Sequence, residues 1–245
     1  MTLPYATGYH APVMVREAME LLAPERGGTF LDGTLGGGGH AEALLERGAD
    51  AVLIGVDRDP DALAEARSRL ARFGGRFRPV RANFADAVRA AGVGAGTLAG
   101  VLLDLGISSH QIDEDARGFT FRPGAPLDMR MGQDAAGEQS AAELLNTADE
   151  AELASVFYRY GEEKRSRKLA RIVVEMRERE PFATSDQLLE AIGRALGPRT
   201  EAADRARIFQ ALRIAVNREF EALERALDSF RGALAPGGVF AVMSY

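Results

Sequence analysis

The pattern of apolar and polar positions changes character twice along the chain. In the first hundred residues, short apolar runs at 29–32, 51–56, 77–82 and 98–103 alternate with segments of helical spacing. Runs this short, apolar on successive residues, are the signature of strands buried on both faces of a parallel sheet. The intervening segments predict helices at 13–22, 40–47, 61–70 and 86–91, with Pro60 at the first turn of the third. Strand and helix in alternation predict a doubly wound parallel α/β sheet with right-handed crossovers.

The alternation then stops. From 107 to about 204 there is no strong strand pattern, only a loop at 106–139 and helical spacing at 140–145, 148–160, 164–179 and 185–195. Ser140 and Glu143 form a capping box at the first of these. From 204 a single long helix is expected, with Ile208, Leu212, Val216, Phe220, Leu223, Leu227 and Phe230 as one buried stripe. Pro236-Gly237-Gly238 would end it, and 239–245 reads as a fifth strand. The expected organisation is a discontinuous sheet domain, 1–106 with 205–245, interrupted by a helical domain at 107–204.

Composition narrows the chemistry. The chain has 245 residues, no cysteine and three histidines, His10, His40 and His110, in separate segments. Thiol nucleophiles and cysteine-held metals are excluded, and no metal site is expected. His10 reads as a helix-entry residue. A net charge of −6 argues against a protein that coats nucleic acid without selectivity, yet allows a local basic face. No run reaches the length of a membrane span and no signal segment leads the chain, so a cytoplasmic protein with no membrane partner is expected.

The strand ends carry the candidate chemistry, because ligands of such sheets lie at the carboxyl ends of the strands. Asp32, Asp57, Asn83-Phe84 and Asp104 stand there, and Gly36-Gly37-Gly38-Gly39 follows the first strand. Gly36, Gly38 and Ala41 satisfy the G-x-G-x-x-A dinucleotide fingerprint, and Asp57 is spaced to accept both ribose hydroxyls. These residues fit NAD as well as S-adenosylmethionine (SAM). Three details favour SAM: Asp32 four residues before Gly36, an apolar ring at Phe84 to cover adenine, and Asp104 where a methyl acceptor would meet the sulfonium.

Taken together these residues resemble the RsmH (MraW) family of ribosomal small-subunit RNA methyltransferases, which modify a cytosine N4. The resemblance is carried by His10-Ala11-Pro12-Val13, by Asp32-Gly33-Thr34-Leu35 with the four glycines and His40, and by Asp57-Arg58-Asp59-Pro60. It continues through 102–113, Arg117-Gly118-Phe119, Pro126-Leu127-Asp128-Met129-Arg130-Met131, Tyr160-Gly161-Glu162-Glu163 and Phe209-Gln210-Ala211-Leu212-Arg213-Ile214. It implies a Rossmann-like SAM-dependent methyltransferase fold with the helical insertion serving RNA recognition. It implies SAM as cofactor, contacted by Gly38, Gly39, His40, Asp57, Phe84, Asp104 and Gln111. It also implies further strands after Tyr245, so the C-terminal strands of the sheet are expected to be missing here. His110 stands where the family usually has proline.

The expected partner is 16S ribosomal RNA in the small ribosomal subunit, with a second copy of the chain left open. The acceptor residue is not assigned; Asp104 and Ser108 are candidates, since the Pro-Pro-aromatic motif of many amino-methyltransferases is absent after Asp104. Phe119 and Phe121 fit base stacking or core packing, and Arg122 and Arg130 fit phosphate. Lys164, Arg165, Arg167, Lys168 and Arg171 form a basic cluster that reads as an RNA contact or a solvated helix face. The rival functions are an NAD-dependent oxidoreductase and a non-catalytic RNA-binding or assembly factor.

Overall fold

The computed structural model describes residue 5 and residues 12–132 and 138–244. His10 and Ala11 of the first matching string lie outside the described residues. The chain divides into two units, Met1–Ser109 with Phe220–Tyr245, and His110–Glu219.

In the first unit, strands β1 (Gly28–Asp32), β2 (Ala51–Asp57), β3 (Phe77–Arg81), β4 (Leu98–Asp104) and β5 (Leu234–Met243) form one sheet in the order β3-β2-β1-β4-β5. Every pair is parallel. Side chains on a strand alternate between faces, and the two cores follow that alternation. Phe30, Leu53 and Leu102 join a core with helices α1 (Val15–Leu22), α2 (Gly39–Arg47) and α3 (Pro60–Leu70). Leu31, Ile54, Val101 and Leu103 join the opposite core with α4 (Ala87–Ala90) and the last helix, Glu219–Ala233. Burial on both faces explains why these strands read as continuous apolar runs. Pro79 falls on β3, an edge of the sheet, where a missing N–H costs no ladder bond.

The second unit is helical among its described residues. It holds α5 (Ser109–Asp113), α6 (Ala141–Thr147), α7 (Glu150–Arg159), α8 (Ser166–Arg177), α9 (Ser185–Leu196) and α10 (Ala202–Asn217). Leu153, Phe157, Leu169, Val173, Leu188, Ile192, Ile208 and Leu212 are buried there. The capping box of Ser140 and Glu143 is formed, Ser140 Oγ accepting from Glu143 N–H at 3.1 Å. The loop ahead of α6 is pinned by two buried side chains. Arg117 donates to the Met131 carbonyl at 2.9 Å, while Asn217 donates to the Met129 carbonyl at 2.7 Å and accepts from Met131 N–H. Gly118 has φ +73, and a Cβ there would stand 2.4 Å from the Pro126 carbonyl oxygen, so the Arg117-Gly118-Phe119 string needs its glycine.

The structure corrects the reading in three places. The long helix from 204 is two helices, because Arg218 adopts φ 49 in the left-handed region and ends α10. The break resets the helical phase, so the single stripe fails: Phe220 is 52% and Leu227 43% exposed, while Ala222, Ala226 and Phe230 face the core. The division between the units accordingly falls at Glu219 rather than near 204. Finally, β5 starts at Leu234, and Pro236-Gly237-Gly238 sits inside it as a register shift, Leu98 pairing with Leu234 and Gly100 with Val239. Among the described residues no helix is long and apolar enough to cross a membrane.

Two stability outcomes follow from this packing. Phe230→Ala removes a fully buried ring that meets Phe240 edge-on at 5.4 Å, and should cost about 3–5 kcal/mol in denaturant unfolding. Of two changes that both remove the Arg218 side chain, Arg218→Gly should be the better tolerated, with the β-branched Arg218→Val less stable than it by about 1–2 kcal/mol. A continuous helix would give the opposite ranking, with glycine the costlier change.

Candidate functional site

The ends of β1, β2 and β4 converge on one another through backbone hydrogen bonds to side chains. Asp32, the last residue of β1, is buried and accepts from Thr34 N–H at 3.1 Å. Thr34 in turn accepts, through Oγ1, from the Asp104 N–H at 2.6 Å. Gly33 N–H donates to the Leu102 carbonyl, continuing the β1–β4 ladder one residue further. Gly33 also has to be glycine. A Cβ there would lie 2.6 Å from Leu103 and 3.2 Å from the Phe84 Cβ.

Asp57 ends β2 half-buried, its carboxylate accepting from backbone N–H groups on both oxygens. Gly36 N–H reaches Oδ2 at 2.8 Å and Asp59 N–H reaches Oδ1 at 2.9 Å. A carboxylate offers about four lone-pair sites, so acceptor capacity remains for a ligand hydroxyl. Asp59 caps α3, accepting from Asp61 N–H at 3.0 Å, and Pro60 takes the first helical position. The Asp57-Arg58-Asp59-Pro60 string is thus an acidic strand end followed at once by a capped helix start.

The glycine turn is shaped by what fills the space beside it. Gly36 has φ +50, and the nearest atom to a Cβ there would be 4.0 Å away. Gly38, at φ +80, lies against Ala66 and Leu70 of α3, and a Cβ on Gly39 would stand 2.7 Å from Pro12. The missing Cβ atoms of Gly38 and Gly39 therefore admit protein neighbours, and contact from these two residues to a ligand would come through their backbone. Arg69 braces the turn from behind, bonded to Glu42 at 2.7 Å and to the Gly37 carbonyl at 3.4 Å.

His40 begins α2 with its ring buried, Nε2 lying 2.8 Å from the Val13 carbonyl oxygen and Nδ1 4.0 Å from Asp104 Oδ2. Burial pulls the imidazole below its ordinary pKa. Burial also pushes the Asp32 carboxyl up to about 7, helped by the charges of Asp104 and Asp57, and pushes Asp57 up to about 6. Among the described residues these carboxylates do not form a metal-ligand group. What they form is an acidic, hydrogen-bond-accepting rim beside an open turn. Phe84, whose Cβ lies near Gly33, packs against the core that holds Leu31 and Leu103, and it follows Asn83, whose side chain accepts from Ala85 N–H at 3.0 Å.

The first unit thus brings together Asp57, Asp104, His40, Gly38, Gly39 and Phe84. Ser108, half-buried, belongs to the same unit, and Gln111 lies on α5 in the second. Thr34 was missed by sequence reasoning, although its place between Asp32 and Leu35 in a quoted string was a usable signal. Of the nucleic-acid candidates, Phe119 is buried and packs in the core, while Phe121 is partly exposed and meets Phe209 edge-on at 5.8 Å. Arg122 pairs with Asp113 and Asp115, both at 3.0 Å, and Arg130 with Asp128 at 2.7 Å. The basic cluster divides. Arg165 and Lys168 donate to the last carbonyls of α9, at Leu196 and Ala195, and Arg171 lies 3.7 Å from Glu175. Lys164 and Arg167 are exposed.

Comparison with known proteins adds the family. Residues 7–245 match the family described as MraW methylase family. Ribosomal RNA small subunit methyltransferase H of Gemmatimonas aurantiaca is 54% identical, over 97% of this chain and 74% of that protein. The proteins of the same name from Trichlorobacter lovleyi and Gluconobacter oxydans are 48% and 49% identical, over 97% and 96% of this chain and 77% and 72% of theirs. An rRNA methylase structure from Streptococcus thermophilus aligns over 38% of this chain and 54% of its own at 16% identity and TM-score 0.32, too loose a likeness to carry an argument. On the match over residues 7–245 and these identities, the chain belongs to the MraW methylase family.

Proposed function

We propose that the protein transfers a methyl group from SAM to the exocyclic N4 of a cytosine in 16S ribosomal RNA, as its relatives' names and the resemblance of its motifs suggest. The observation that carries the reading is Asp57. Its carboxylate accepts from the Gly36 and Asp59 N–H groups beside an open glycine turn, and there it would hold a ribose. Glycines and an acidic strand end also suit NAD; Asp32, Phe84 and Asp104, together with family membership, favour SAM. Phe84 would pack on adenine, and the backbone of Gly38, Gly39 and His40 would meet the methionine portion. Asp104 would lie toward the sulfonium, and Gln111 is retained on the resemblance alone. A ribosomal substrate implies work in the cytoplasm.

The cofactor supplies a methyl group already activated on sulfonium. The chain's task is alignment, holding donor and acceptor in line. The cytosine amino lone pair is delocalised into the ring, so a side chain that accepts an N4–H hydrogen bond helps draw it toward attack. Asp104 is the proposed acceptor, with Ser108 the alternative. On the second unit, exposed Lys164 and Arg167 at the head of α8 are the proposed phosphate contacts, because Arg165 and Lys168 already serve α9.

Asp57→Asn should weaken SAM binding by calorimetry at least tenfold, on the order of 1.5–3 kcal/mol for a lost charge-assisted bond. Unchanged affinity would remove Asp57 from the site. Ribose hydroxyls donate to the ionised carboxylate, and Asp57 ionises near pH 6. Binding should therefore be full above that pH and fall by up to about tenfold per unit below it, a slope absent from Asp57→Asn. Lys164→Glu with Arg167→Glu should weaken binding to small-subunit particles and lower the salt slope by about 2, with SAM affinity unchanged. The test of the whole reading is labelled methyl transfer from SAM to small-subunit particles. Particle binding without transfer would instead support a non-catalytic assembly factor.

A further inference from the structure

Behind Asp104 lies an imidazole whose chemistry none of these roles uses. His40 is buried in the first turn of α2 with Nε2 at 2.8 Å from the Val13 carbonyl oxygen. A carbonyl oxygen only accepts, so Nε2 carries the proton and the neutral ring keeps its lone pair on Nδ1. That lone pair faces Asp104 Oδ2 at 4.0 Å. Two acceptors facing each other have no proton to share, which accounts for a separation beyond hydrogen-bond range. A proton arriving on either group turns the pair into donor and acceptor.

The surroundings leave Asp104 as the charge that acts on the ring. On α2 itself, Glu42 is turned to Arg69 and Arg72. On α1, Arg16 pairs with Glu17 and lies 3.9 Å from Glu20. Asp59 heads α3 and caps it. Asp32 and Asp57 stand at the same strand ends, and the charges of Asp104 and Asp57 act on Asp32.

We propose that His40 is the proton acceptor behind Asp104, taking up through its carboxylate the proton that the acceptor amino group gives up. The proposal rests on the methyl-transfer reading. In the step, the amino nitrogen's lone pair forms the N–C bond as the C–S bond breaks, and sulfur keeps that electron pair as a thioether. The nitrogen, now cationic, loses a proton to the Asp104 carboxylate and recovers its lone pair. The carboxylic acid so formed then donates to His40 Nδ1, leaving an imidazolium that returns its proton to solvent after product leaves. Burial disfavours that imidazolium, which makes its later release of the proton favourable.

The test pairs two variants with two readouts. His40→Gln keeps an amide donor for the Val13 carbonyl and removes the Nδ1 acceptor; His40→Asn does the reverse. With three histidines in the chain, the His40 ring is assigned in nitrogen NMR as the signal that His40→Gln deletes. It should show the Nε2–H tautomer at pH 7.5, and Asp104→Asn should lower its titration midpoint. The Nδ1–H tautomer, or a midpoint indifferent to Asp104, overturns the proposal. In single-turnover transfer, His40→Gln should fold, bind SAM within twofold of the parent, and lose at least tenfold in rate with its pH profile displaced. Wild-type rate and profile in His40→Gln, or a tenfold loss of SAM affinity, would also overturn it. If His40→Gln does not fold, His40→Asn assigns the ring signal in its place, and the tautomer and the Asp104→Asn titration decide. If the parent chain itself transfers no methyl group, the methyl-transfer reading fails, and the NMR arm still decides whether the pair exists.

Discussion

The site depends on parallel strands ending side by side, with the carboxylates of Asp32 and Asp57 held by backbone N–H groups. Thr34 ties the end of β1 to the end of β4, bonding Asp32 with its N–H and Asp104 through its hydroxyl. Gly36 ties the same turn to Asp57 at the end of β2. These bonds fix three acidic residues in a region where burial, with neighbouring carboxylates, pushes Asp32 and Asp57 upward in pKa. Such an arrangement is costly unless each charge is hydrogen-bonded, and the strand ends supply those donors because their ladders run out there. The same unmet polarity makes the carboxyl edge of a parallel sheet a place for ligands.

The helical unit follows a different logic. Its loop from Arg117 to Met131 is held by buried Arg117 and Asn217, both spent on backbone carbonyls. Several cations that sequence alone leaves available for RNA are satisfied locally: Arg122 and Arg130 by neighbouring aspartates, Arg165 and Lys168 by the end of α9. A basic run on a helix is therefore not one surface. What it offers a phosphate backbone depends on which of its members the fold has already used.

Most of the sheet was legible because strands buried on both faces announce themselves as short apolar runs, and each predicted strand through β4 lies within a residue of its observed bounds. The capping box at Ser140 was legible for a similarly local reason. The helix break at Arg218 was not, since arginine carries no breaking signal and apolar residues continue at helical spacing across it. Phe119 and Phe121 illustrate the same limit. Two identical residues flanking one threonine end up in different environments, one buried and one partly exposed.

By itself the sequence determined the element types, the acidic strand ends and the glycine turn, since periodicity, turn chemistry and spacing are local properties of the chain. It also carried the family, through strings of residues long enough to match. Only the tertiary structure decided that Gly38 and Gly39 make room for Ala66 and Pro12, that Thr34 joins two strands, and that His40 faces Asp104 across 4.0 Å. Those facts join residues tens of positions apart, and their distances are set by packing of the sheet against its helices, which no local pattern encodes.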